Sequence, residues 1–341
     1  MLEVITGMDY KLSIILFAIV VIAYSTLGGI SGVGLAIIIQ GTVMTIGALV
    51  LGIGAVKYVG GVQNVFRGLE AYSLSYVQPQ TENMWWMLSL WIAFGIIYLS
   101  MPHGALGSLS YKNTSTLHKA IFVSALCLPI WTICMNFSSL ASVSVLGVLE
   151  VSDYTTPLMA ATVIPPVLAG FTIAGACAAA QSTIAAMLLT ISGTLASTVY
   201  TKMRPNVSPE KQRTITITTT LSCGVITFLL ALEPTKQLQW VVIFAIGGLA
   251  SGFFWPMLLG LFWPRMNQWG AVGGVVGGIT VYMIGSKFYT PIAVGMEPII
   301  IGIIASLIIS VGASLLTKPT DERTLRIFWG ADPVLPEIKK G

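Results

Sequence analysis

The chain has 341 residues, 55% of them hydrophobic and only 9% charged, against roughly 25% charged in an ordinary soluble domain. That balance excludes water as the main solvent. The formal net charge of +4 is small and its basic residues are scattered through loops, so nothing points to a nucleic-acid partner.

A bilayer core requires about 20 mainly apolar residues per helical crossing, and the pattern predicts an all-α polytopic membrane protein with about nine transmembrane helices. In chain order they are Lys11 to Gly29, Val33 to Ala55, Trp85 to Met101, Ala120 to Val148, Ala161 to Thr198, Thr214 to Leu232, Gln239 to Trp263, Trp269 to Ser286 and Pro298 to Thr317. Gly28 and Gly29 make a tight turn between the first two. Pro129 kinks the fourth, and the fifth is too long for one straight crossing, so Pro165, Pro166, Gly170 or Gly175 divides it. Residues 1–317 are read as the transmembrane domain and 318–341 as a cytoplasmic tail.

Nine crossings put the termini on opposite sides. One side carries Lys112, Lys119, Lys202, Arg204, Lys211, Arg213, Arg265, Lys318, Arg323, Arg326, Lys339 and Lys340, the other only Lys11, Lys57, Arg67, Lys236 and Lys287. Basic residues gather on the cytoplasmic side, which predicts a cytoplasmic carboxy terminus in a multi-pass cell-membrane protein. Met1 then lies outside, almost at the first span. This reads either as a chain whose upstream helices are missing or as a true start with a short exposed tail.

All 13 acidic residues fall in loops or at span ends, among them Glu82, Glu297, Asp332 and Glu337. Proton-coupled carriers commonly relay through buried acids, whereas sodium needs only oxygen dipoles, so sodium is the expected coupling ion. The richest polar group inside a span is Gln181, Ser182 and Thr183, with Ala179, Ser182 and Thr183 on one helical face. Those hydroxyls either bond their own helix carbonyls or line a site. Gln40, Asn136, Ser138, Ser139 and His103 either line a substrate route or satisfy a neighbouring helix. The ladder Gly270, Gly274, Gly278 reads as close helix packing in preference to dimerisation. Trp85, Trp86, Trp240, Trp263 and Trp269 read as interfacial anchors. Cys127, Cys134, Cys177 and Cys223 lack metal or redox spacing and read as small packing residues. With only His103 and His118 as histidines and no acid inside a span, no enzyme apparatus and no cofactor are expected.

Four collinear segments resemble the sodium:solute symporter family, and within it the pantothenate branch. They are AYSTLGGISGVGLAIIIQGTVM (Ala23 to Met44), MPHGALGSLSYKNTSTLHKA (Met101 to Ala120), AAAQSTIAAMLLTISGTLASTVY (Ala178 to Tyr200) and FAIGGLASGFFWPMLLGLFWPRMNQWGA (Phe244 to Ala271). The resemblance implies a partial LeuT-like inverted-repeat fold, with sodium held by the Ala179 carbonyl and the Ser182 and Thr183 hydroxyls. The family's first core helix, which supplies the remaining sodium ligands, has no match here. Ile37 stands where the family usually has Asp, Ala36 where it has Thr or Asn, Ser31 and Gly107 at commonly basic positions, and Ala186 at a frequently polar one.

The function expected is sodium-coupled symport of a small organic solute, with pantothenate as the named candidate and Gln40, His103 and Gln181 as substrate-site candidates. The alternative is a truncated or degenerate symporter without transport activity, acting as a membrane scaffold or being a gene fragment. Membrane lipid and the solute are the expected partners.

Overall fold

A computed structural model describes residues 2–78, 84–109, 111–204, 206–233, 238–288 and 297–329. Glu82, Lys236, Asp332, Glu337, Lys339 and Lys340 lie outside the described residues, as does the side chain of Trp240.

In chain order the helices are α1 (Leu2–Thr6), α2 (Tyr10–Tyr58), α3 (Val62–Tyr72), α4 (Met84–Ser100), α5 (Pro102–Leu109), α6 (Thr114–Leu146), α7 (Thr155–Val163), α8 (Pro166–Gly193), α9 (Thr201–Met203), α10 (Pro209–Leu230), α11 (Leu238–Phe262), α12 (Gln268–Phe288), α13 (Pro298–Leu316) and α14 (Glu322–Trp329). No strand occurs among the described residues. Among the described residues eight helical stretches are long and apolar enough to cross a bilayer. The remaining expected crossing is α4, whose 17 residues sit at the short end of the roughly 17–25 that span a membrane.

The breaks follow the backbone chemistry. Within α2 the helix is interrupted at Gly29, with φ 54° and ψ −157°, a conformation that only glycine adopts without strain. The long fifth stretch divides at Ile164, whose extended backbone precedes Pro165, and α8 restarts with Pro166 in its first turn. Proline disfavours a helical residue before it yet suits a helix start. By contrast α6 runs through Pro129 without ending.

The chain forms two compact units, Met1–Pro79 with Ser110–Leu238, and Gln80–Leu109 with Gln239–Gly341. In the first, Leu51, Ala55, Val65, Leu69, Ala141, Met159, Ala160 and Ile164 form the core. The part of α2 after the break runs antiparallel to α8. A Cβ on Gly47 would lie 3.2 Å from the Thr172 Cα, and one on Gly175 would lie 3.1 Å from the Val43 carbonyl oxygen. Small residues at both contacts let the backbones approach. The cysteines are free thiols, and Cys134 fills the space opposite Gly52.

In the second unit the core is Ala93, Ile243, Ala250, Tyr282, Ile299 and Ile303. The glycine ladder of α12 faces a serine ladder on α13: Gly270 meets Ser314, Gly274 meets Ser310 and Gly278 meets Ser306. Each step of four residues along α12 is matched by four in reverse along α13, so the two helices are antiparallel and in register. The ladder therefore packs within the chain. Asn267 closes one end, accepting from the Gly270 N–H at 2.9 Å and donating to Thr317 Oγ1 and the Lys318 carbonyl at 2.8 Å each.

Candidate functional site

The sodium-site candidates share the middle of α8. The Ser182 hydroxyl donates to the Ala179 carbonyl at 2.9 Å and the Thr183 hydroxyl donates to the same carbonyl at 3.1 Å. Both hydroxyls thus bond back onto their own helix. A hydroxyl that donates its proton keeps its lone pairs, so two acceptor oxygens remain on this face. Ser182 is half-buried and Thr183 exposed. The donor set consists of neutral oxygens, which fits a hard monovalent cation held by dipoles. Among the described residues no group of three His, Cys, Asp or Glu side chains converges on a metal position.

Immediately beside Ser182, Gln181 is joined to α2. The Gln40 carboxamide donates to Gln181 Oε1 at 3.2 Å, and the Tyr24 hydroxyl donates to the Gln181 carbonyl at 2.9 Å. Gln40 and Gln181, two of the substrate-site candidates, are thereby in direct contact. The close backbone approach at Gly47 and Gly175 brings the later part of α2 near enough for this pairing. Among the described residues Gln40 Oε1 has no hydrogen-bond partner. The cluster thus offers one oxygen acceptor, Gln40 Oε1, and Tyr24 joins it as a residue that composition and spacing do not single out. Its place four residues before Gly28 in the quoted motif was the available signal.

The third substrate-site candidate, His103, belongs to the second unit, on α5, outside the candidate crossings. Burial lowers its pKa from the ordinary value by disfavouring the charged imidazolium. Asn136 bonds only along its own helix, donating to the Thr132 carbonyl at 2.8 Å.

A further polar feature of the second unit lies at the start of α13. Glu297 is 5% exposed; its carboxylate accepts from the Trp86 indole at 2.6 Å and its N–H donates to Ser89 Oγ at 3.0 Å. Glu297 lies at a span end, just before α13, and its position in sequence carries no sign that it is enclosed.

The chain is thus a set of long apolar helices with a break in the second and a pair of hydroxyls in the middle of α8. The sequence model of the sodium:solute symporter family matches residues 1–278, and the chain belongs to that family. It is 30% identical to the sodium/pantothenate symporter of Haemophilus influenzae over 83% of this chain and 60% of that protein. With the sodium/pantothenate symporter of Escherichia coli it shares 31% identity over 90% of this chain and 65% of that protein. The chain thus spans less than two thirds of the length of these two relatives. The osmoregulated proline transporter OpuE of Bacillus subtilis is 26% identical over 98% of this chain. A solved structure of a Na+-coupled sialic acid symporter in a substrate-bound outward-open state superimposes with a TM-score of 0.73, covering 94% of this chain and 70% of that one at 21% identity. That likeness is one of fold.

Proposed function

We propose that this chain serves sodium-coupled symport of a small organic solute, with pantothenate the first candidate. The observation that carries the reading is the pairing of Gln40 with Gln181 beside the Ser182 and Thr183 hydroxyls. It sets the Gln40 carboxamide of α2, bonded to Gln181, next in sequence to a neutral-oxygen face on α8, within a chain whose pantothenate-transporting relatives are about 30% identical. Sodium would sit on Ser182, Thr183 and the Ala179 carbonyl. To ligate the ion, that carbonyl gives up the hydroxyl protons it now accepts. Gln40 and Gln181 are assigned to the solute, whose carboxylate would be held by amide donors and half-helix amino termini.

Alternating access supplies the mechanism: sodium binding favours the conformation that accepts solute from outside, and loss of sodium inside releases it. No covalent step and no organic cofactor enter. In this reading residues 1–317 are the transmembrane domain, 318–341 form the tail, and the carboxy terminus is cytoplasmic.

The test is uptake of labelled pantothenate into proteoliposomes containing the chain, under an inward sodium gradient and under an equal potassium gradient. Accumulation that follows sodium alone supports the proposal. Equal uptake under both gradients overturns it.

A further inference from the structure

Past the end of α8 the chain builds a second polar site, distinct from the one above. From Thr194 to Tyr200 the helix widens into a π-helix, and the Thr201 hydroxyl reaches back five residues to the Ala196 carbonyl at 3.3 Å, in keeping with that register. Single π segments of this kind are frequent at functional sites. The helix then ends at Arg204, whose backbone leaves the helical region at φ −138° and ψ 87°.

Here Tyr200, Arg204, Asn206, Val207, Ser208 and Lys211 line an open surface cavity of about 440 Å³. Its lining brings together a guanidinium, an ammonium, a phenol, a carboxamide and a hydroxyl. Among the described residues neither Arg204 nor Lys211 has a carboxylate within ion-pair distance. The surrounding segment adds Lys202 and Arg213 against the single acid Glu210, so the field is positive. The start of α10 reinforces it: Ser208 caps the helix by accepting from the Lys211 N–H at 3.4 Å, and the positive end of the helix dipole lies beside the cavity. Met203, Val199 and Leu195, just before Arg204 in the chain, are exposed, and apolar surface followed by basic groups suits a membrane interface.

We propose that this cavity binds a phosphate oxyanion, with the headgroup of an anionic phospholipid as its ligand. Arg204 supplies paired N–H donors to the phosphate oxygens, Lys211 the second charge, and Tyr200, Asn206 and Ser208 neutral hydrogen bonds. In the orientation proposed above, this end of α8 and α10 faces the cytoplasm, where anionic lipid would reach it.

The test titrates phosphatidylglycerol, phosphatidylcholine and soluble glycerol phosphate into the detergent-purified full chain and reads bound ligand by native mass spectrometry, for the unaltered protein, R204Q/K211Q and the distant control K57Q. The expected result is selective phosphatidylglycerol binding that weakens about tenfold or more in R204Q/K211Q and stays unchanged in K57Q. If glycerol phosphate binds as tightly as the lipid, the site takes the phosphate group alone; if only the lipid binds, the acyl chains contribute. Equal binding of phosphatidylcholine, or equal loss in K57Q, or full retention in R204Q/K211Q with an unchanged melting temperature, overturns the proposal. The readout does not depend on transport.

Discussion

The Trp86 indole donates to the Glu297 carboxylate across 2.6 Å, a bond that joins the first turn of α4 to the residue capping α13. Hydrogen bonds to a charged partner contribute about 1.5–3 kcal/mol, and a buried acceptor left unmade is expensive. Trp86→Phe should therefore lower the thermal unfolding midpoint in detergent, whereas Glu297→Gln, which keeps an acceptor oxygen, should cost less. Equal midpoints for Trp86→Phe and the unaltered protein would show that the bond contributes nothing.

At the break in α2, Gly29→Ala should destabilise by about 1–3 kcal/mol, because its φ of 54° with ψ −157° is foreign to L-residues. Open space surrounds the position, so a loss here reports backbone strain and not a clash. Gly32→Ala, also in open space and without positive φ, is the comparison and should unfold at nearly the native midpoint.

On the glycine ladder, a methyl at Gly278 meets the Ser251 carbonyl oxygen and lies 2.8 Å from the Ser306 Cβ. Neither neighbour is a flexible side-chain tip. Gly278→Ala should cost about 1–3 kcal/mol through overpacking and lower the folded yield. Gly260→Ala on α11, with nothing within 4 Å, should not; matching yields for the two would contradict the ladder.

If the face of α8 takes sodium, Ser182→Ala/Thr183→Ala removes two oxygens and should raise the half-saturating sodium concentration by about tenfold or more, which corresponds to about 1.4 kcal/mol. The purified protein should keep its melting temperature, since both hydroxyls bond only to the Ala179 carbonyl of their own helix. An unaltered sodium dependence of uptake would remove these residues from the site.

His103 gives a pH dependence. Burial holds its folded pKa below the ordinary value, so between the folded and unfolded pKa the unfolded chain binds more protons. Its contribution to stability is complete above about pH 6.5 and is lost as pH falls through the folded value. Melting curves from pH 7.5 downward should show a drop that His103→Gln reduces; parallel curves would discount the histidine.

The crossings were legible because bilayer thickness imposes a length and a composition on each helix, and the division at Pro165 because proline's ring acts on the residue before it. The α12 ladder was legible as a contact surface, but its partner was not: Ser306, Ser310 and Ser314 repeat every four residues, and nothing in one stripe names the stripe it meets. The contact between Gln40 and Gln181 joins residues 141 apart in sequence and follows only from the antiparallel approach of two helices. Glu297 illustrates the opposite limit. Its neighbours in sequence mark a loop, while its enclosure is made by Trp86 and Ser89, more than 200 positions away.

The meeting of α12 and α13 through glycine and serine also governs how the second unit can move. Side chains this short leave the rungs little rotamer freedom, and Ile309 packs beside them against Gly273 and Gly277, so the helices resist sliding past one another by small steps. A displacement of α12 along α13 would have to lift every rung together or jump a full turn to the next register. The pair is therefore a stiff strut, and a conformational cycle in this unit must be taken up at its ends, where Glu297 meets Trp86 and Asn267 holds the chain beyond α13.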